Sequence, residues 1–306
     1  LYFIWRTKME DIRFVFAELL FVIQSDLNIN IENAFASFMR FQKKDEEAAG
    51  KYGKVKVIFK WKWEDEIKVQ KEDFLGGDLL QDYYHKKSKL YCLTKGGYKG
   101  YIACARLNEI DEIECMVNLD LFPSFLPCLG GIIRFLPMRY IFLNHGILFF
   151  HSSQICFQDL GIVFVGPSGI GKTTQAKLWE RYKGAKIVCN DRTLVRKIDG
   201  RWKAYGYPID GSSPIGANQS CRLCCMIILK QNAENEIQKL KSSEAITSLI
   251  SNLIIDSWNE MELNKSFQLL AELVSEIPAY ELKCTCDENA TGFLENKLVE
   301  DGVFNS

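Results

Sequence analysis

The sequence predicts an α/β chain, α+β overall: a small mixed β-rich N-terminal domain over residues 1–120, then a larger α/β domain over 121–306. Three observations predict it. Residues 54–63 alternate between lysine and large apolar side chains, with Ile58 in place of one lysine. Gly161–Val165 (GIVFV) is a fully apolar run that leads into a glycine-rich turn. After that turn, short apolar runs and amphipathic stretches follow one another to the end of the sequence.

The first observation places one strand. Val55, Val57, Phe59, Trp61 and Trp63 share one face, and Lys54, Lys56, Ile58, Lys60 and Lys62 the other, the period-two pattern of a half-buried strand. Solvation of an outer face or protection of a sheet edge accounts for the lysines. Further strands are expected at Tyr98–Leu107, after the Gly96-Gly97 turn, and at Glu112–Asn118. Phe122–Leu143 reads as one or two helices broken by Pro137, then strand-like runs Ile147–Phe150 and Ser153–Phe157 flank His151. Past the glycine-rich turn come a helix over Thr173–Tyr182 and a buried strand over Ala185–Cys189. Strands follow at Thr193–Lys197, Trp202–Tyr205 and Cys225–Leu229. Helices are expected around Ser243–Trp258 and Lys265–Val274, a strand at Ala279–Lys283, and a last helix over Asp287–Leu298.

Composition limits the function classes. Of the 306 residues, 47% are hydrophobic and 25% charged, which suits a globular core and excludes disorder and collagen-like repeats. With 38 Lys+Arg against 39 Asp+Glu, no whole-chain basic field points to nucleic acid or anionic lipid. The apolar zone over 121–150 is interrupted by Pro123, Pro127, Pro137, Arg134, Arg139 and His145, so it reads as a buried connector and not a membrane span. Residues 1–8 are apolar and basic but too short for a signal h-region, and the first methionine is Met9. Eleven scattered cysteines, an odd number, point to free thiols in a reducing cytoplasm.

The chemistry concentrates after Val165. Gly166-Pro167-Ser168-Gly169-Ile170-Gly171-Lys172-Thr173 fits the phosphate-binding P-loop pattern G-x-x-x-x-G-K-[ST] in full, and Thr174 extends it. Glycines there let backbone N–H groups surround phosphate oxygens, and the helix that follows presents its positive end to the same anion. Lys172 would reach the β- and γ-phosphates, and the Thr173 hydroxyl would ligate Mg2+. Nineteen residues beyond Lys172, the apolar strand Ile187-Val188-Cys189 ends in Asn190-Asp191, and Asp191 is the carboxylate expected to orient Mg2+. Only one helix and one turn separate the two, which leaves no room for switch segments and favours direct phosphoryl transfer over a motor.

The order of His151, the P-loop opening at Gly166, and Asp191 at the end of the next strand resembles the catalytic domain of the HPr kinase/phosphorylase family, whose core is shared with ATP-dependent phosphoenolpyruvate carboxykinase. The resemblance covers roughly residues 143–229 and, more weakly, extends to about 298. GPSGIGKTTQAKLWE is closer still to the bacterial peptide-kinase branch of that family. It implies a P-loop C-terminal domain of HPr kinase/carboxykinase type. It also implies a kinase, with ATP and Mg2+ as cofactors, that phosphorylates a serine on a peptide or protein. His151 would lie beside the transferred phosphoryl group, and Asp191 would act as base or as Mg2+ partner. Asn190 stands where the family carries a first aspartate.

Other readings remain open on the residues alone. A small-molecule kinase or carboxykinase-like transferase would use the same loop, and a nucleotide-binding module without turnover would suit Asn190. Tyr205–Ser213 is a candidate substrate loop, and His145 a helix-to-strand turn. Cys221, Cys224, Cys225, Cys284 and Cys286 could supply thiolates to zinc, although Cys225 and Cys284 are explained by apolar strands without any metal. The expected partner is a peptide or protein substrate, with no nucleic acid and no membrane. A homo-oligomer is compatible with everything above.

Overall fold

The computed structural model describes residues 11–25, 53–60, 69–97, 100–118, 121, 133–207, 217–285 and 287–304. It is mixed α/β, with two large sheets and few helices. The chain divides into two units, Leu1–Ile141 with Asp256–Asn259, and Phe142–Ile255 with Glu260–Ser306. A short later segment thus joins the first unit.

In the first unit the strands are β1 (Ile12–Phe16), β2 (Leu19–Ser25), β3 (Gly53–Lys60), β4 (Phe74–Gly77), β5 (Gln81–Lys86), β6 (Lys89–Lys95), β7 (Tyr101–Glu109) and β8 (Glu112–Val117). They form one sheet in the order β1-β2-β3-β8-β7-β6-β5-β4. The alternation in β3 is observed: Val55, Val57 and Phe59 are fully buried. Edge protection is not the role of its lysines, because β3 lies inside the sheet with parallel neighbours β2 and β8. Lys56 and Lys60 instead pair with Glu112 and Glu114 on β8. Trp61, Lys62 and Trp63 lie outside the described residues. Arg139, in helix α1 (Met138–Asn144), reaches Asp78 at 2.5 Å and the buried Asp256 at 3.0 Å, fastening segment 256–259 within this unit.

The second unit contains β9 (Ile147–Phe157), β10 (Leu160–Val165), α2 (Lys172–Lys183), β11 (Lys186–Cys189), β12 (Arg192–Ile198), β13 (Arg201–Gly206) and β14 (Ser220–Gln231). After these come β15 (Glu236–Lys239), α3 (Ser242–Ile250), α4 (Glu260–Glu276), β16 (Ala279–Cys284) and α5 (Glu288–Glu300). The runs on either side of His151 are one continuous strand, not two. The helix expected over Ser243–Trp258 stops at Ile250. Strands β10, β14 and β16 are mutually parallel. Their alternating side chains fill two cores. Ile162, Phe164, Ile227 and Leu282 pack with Trp179 of α2 and with Leu294 and Leu298 of α5. Val163, Val165, Met226 and Ile228 pack with Leu249 of α3 and with Leu270 and Leu273 of α4. Strands buried on both faces by helices read as continuous apolar runs, which explains GIVFV.

Candidate active site

The glycine-rich loop turns the chain from the end of β10 into the first turn of α2. Gly166, Gly169 and Gly171 have φ of 147°, 80° and 110°, conformations that L side chains rarely adopt. At Gly166 a Cβ would also come within 3.1 Å of the Ile170 side chain and 3.2 Å of the Leu229 carbonyl. Gly171 caps the helix, Lys172 is its first residue, and Thr173 and Thr174 follow in the first turn. Pro167, Ser168 and Ile170 complete the turn, and the Ile170 N–H donates to the Pro167 carbonyl at 3.3 Å. Lys172 is buried, and its Nζ donates to the carbonyls of Gly166 at 2.8 Å and Pro167 at 3.0 Å.

Sheet pairing brings the other residues together. Strand β11 pairs with the second half of β9, and β12 pairs with its first half, with Arg192 opposite His151. The crossing from β11 to β12 therefore falls beside His151, and the Ser152 N–H donates to the Asp191 carbonyl at 3.1 Å. His151 Nδ1 lies 3.5 Å from Asp191 Oδ1, and Arg192 Nε is 3.4 Å from Asp191 Oδ2. Burial lowers the pKa of His151, the Lys172 charge lowers it further, and the Asp191 carboxylate opposes both. Burial also lowers the pKa of Lys172, with Asp191 opposing. His151, Lys172 and Asp191 thus share one electrostatic environment, although the sequence holds them 21 and 19 residues apart.

Two residues add to this set. Asn190 is buried, and neither its Nδ2 nor its Oδ1 has a hydrogen-bond partner among the described residues. Asn252, expected within a helix, sits just beyond α3. Its Oδ1 accepts the Gly166 N–H at 2.9 Å, its carbonyl accepts the His151 N–H at 2.8 Å, and its Nδ2 donates to the Ser248 carbonyl at 3.0 Å. No local sequence pattern marks that role. Its one visible signal is the polar pair Ser251-Asn252 inside an otherwise apolar run, Leu249 to Ile255.

The remaining candidates lie elsewhere. His145 follows α1, and its N–H donates to the Phe142 carbonyl at 3.0 Å, as a helix end does. Cys221, Cys224, Cys225 and Cys284 are buried free thiols, and among the described residues no group of three or more His, Cys, Asp or Glu is placed to hold a metal. Cys286 and residues 208–213 of the expected substrate loop lie outside the described residues. Among the described residues no helix is long and apolar enough to cross a membrane.

Residues 134–300 match a family model described as SynChlorMet cassette protein ScmC. The chain belongs to the ScmC family. The matched span contains His151, the glycine-rich loop, Asp191 and Asn252, so the whole site lies in the family's own region. No curated protein matches this ScmC-family chain. Among solved structures it is similar to the Hpr(Ser) kinase/phosphatase from Coxiella burnetii, at 10% identity over 50% of this chain and 93% of that one. The TM-score is 0.30, and at that value the likeness carries no argument.

Proposed function

We propose that this protein is an ATP-dependent kinase that transfers the γ-phosphate of ATP to a serine hydroxyl of a peptide or protein. One observation carries the reading: a P-loop-type glycine turn at a helix N-terminus has a buried lysine, a carboxylate and a histidine gathered beside it. The Lys172 ammonium rests on two loop carbonyls, placed to exchange those neutral acceptors for phosphate oxygens. Loop N–H groups and the start of α2 would hold the same oxygens.

The residues present also suit Mg2+. Thr173 offers a hydroxyl, Asp191 a carboxylate, and Asn190 a buried amide with neither polar atom paired among the described residues. Mg2+, when bound, would neutralise charge on the β- and γ-phosphates. Catalysis is then positioning and charge stabilisation. The serine Oγ forms a bond to the γ-phosphorus, the bond from that phosphorus to the β,γ-bridging oxygen breaks, and ADP leaves. The serine proton passes to the His151–Asp191 pair, where His151, its pKa lowered, is available as an acceptor at neutral pH.

The test is mass spectrometry of candidate peptides after incubation with ATP, Mg2+ and the full chain. Addition of one phosphate to a peptide serine is expected. Phosphorylation of free serine or another small metabolite, with peptides inert, would select the small-molecule transferase. ATP binding with no phosphorylated product would select the regulatory module, a reading that Asn190 in place of a carboxylate favours.

A further inference from the structure

The end of the second sheet away from the glycine-rich loop carries a second feature. Gly166 follows the C-terminal end of β10, whereas Leu160 at its start pairs with Arg222 of β14. Six residues of strand, about 20 Å, separate the two positions. On the Arg222 side the unit opens into a cavity of about 620 Å³. Its apolar lining comes from half-buried Leu240, Val274, Ile277 and Val303, over buried Trp202, Leu223, Ala245 and Ala279.

The polar lining is unbalanced. Exposed Arg201, Arg222, Lys239 and Lys241 all line the cavity, and among the described residues none has a carboxylate within ion-pair distance. The same unit otherwise pairs many of its lysines: Lys183 with Glu295, Lys197 with Glu272 and Glu276, Lys230 with Glu281, and Lys283 with Glu236. The two carboxylates in the lining are already engaged. Glu276 holds Lys197, and Asp301 holds Lys297 at 2.9 Å and accepts from the Tyr280 hydroxyl at 2.9 Å. Four cations against two carboxylates leave an excess of positive charge, although Asp301 still feels the Lys239 charge, and a bound anion relieves the remaining repulsion.

We propose that this cavity is a second binding site, separate from the glycine-rich loop, for a small organic anion bearing at least two phosphate or carboxylate groups. The apolar wall accommodates the carbon body of such a ligand, and the cationic rim takes its charged groups. The site does not depend on the kinase reading, since none of its residues belongs to the loop, to His151 or to Asp191.

The test is calorimetric titration of the full chain with inorganic pyrophosphate, and in parallel with citrate, to separate a phosphate site from a carboxylate site. Wild type, Lys172→Ala, and Lys172→Ala combined with Arg201→Gln and Arg222→Gln are compared. At least one of the two probes is expected to bind the Lys172→Ala protein and to weaken about tenfold or more when both arginines are neutralised. That binding should also weaken as salt is raised. A second pair, Lys239→Gln with Lys241→Gln, should reproduce the loss, which keeps the test valid if the arginine pair disturbs folding. Absence of binding by both probes in Lys172→Ala, or binding indifferent to both pairs, would overturn the proposal.

Discussion

Asn252 Oδ1 accepts the backbone N–H of Gly166 at 2.9 Å, in a buried setting and across 86 residues of sequence. The same residue's carbonyl holds the N–H of His151 at 2.8 Å. One residue beyond α3, through its side chain and its backbone, therefore fixes both the entry to the glycine-rich loop and the strand that carries the histidine. Asn252→Leu should leave a buried donor unpaired and cost about 1–3 kcal/mol of stability. Asn252→Asp keeps the Oδ1 acceptor and should recover part of that loss. Chemical denaturation of the three proteins checks the order, and ATP affinity should follow it. Equal stability of the leucine variant and wild type would remove the role assigned to this contact.

Nucleotide binding should depend on Lys172. Lys172→Ala removes a charge-assisted contact to phosphate, worth about 1.5–3 kcal/mol. Titration with ATP should show that loss, and unchanged affinity would count against the phosphate-binding role of the loop.

Chemistry should depend on Asp191 more than binding does. Asp191→Asn preserves shape and removes charge, so ATP should still bind while phosphoryl transfer falls about 10²-fold or more. Single-turnover rates measured beside ATP affinity separate the two effects. Transfer within a few-fold of wild type would mean that the carboxylate has been given the wrong part.

The titration of His151 carries a sign that can be checked. Burial and Lys172 lower its pKa, whereas Asp191 raises it. An NMR titration should place its midpoint below the usual value of about 6.5. Lys172→Met should move the midpoint up and Asp191→Asn should move it down. Because the folded value is the lower one, the neutral ring's contribution to stability is complete above the unfolded value. It is lost as pH falls through the folded value. A midpoint above the ordinary histidine value would contradict this environment.

Gly76 in the first unit tests packing, not chemistry. Its φ is 155°, and a Cβ there would lie 2.4 Å from the Trp258 ring. Gly76→Ala should therefore destabilise the first unit by about 1–3 kcal/mol through overpacking and strain. Pairing it with Trp258→Leu should recover part of the loss, as measured by urea denaturation. Independent, additive losses would show that the two residues do not meet.

Several features were legible in the sequence because each rests on local physics. The period-two pattern of Val55, Val57 and Phe59, the apolar β10 and the glycine turn into α2 each report a backbone period or a required φ. Asp287, which accepts from the N–H groups of Asn289 and Ala290, marks the start of α5 in the same way. Several hairpins, two in the first sheet and one in the second, were not legible. Hairpins β1–β2, β5–β6 and β9–β10 turn through Ala17-Glu18, Lys87-Ser88 and Gln158-Asp159, all at positive φ. Such turns normally announce themselves by glycine or asparagine, as Asp199-Gly200 does between β12 and β13. In the other three the strand pairing overrides the residues' own preference. The site divides along the same line. The sequence alone determined where the glycine-rich turn and its lysine fall. Tertiary structure decided that β11 and β12 share β9, which sets Asp191 beside His151, and that Asn252 closes on Gly166. The reason is physical: a turn is encoded by a few adjacent φ values, whereas strand order and a hydrogen bond across 86 residues are set only when the core closes.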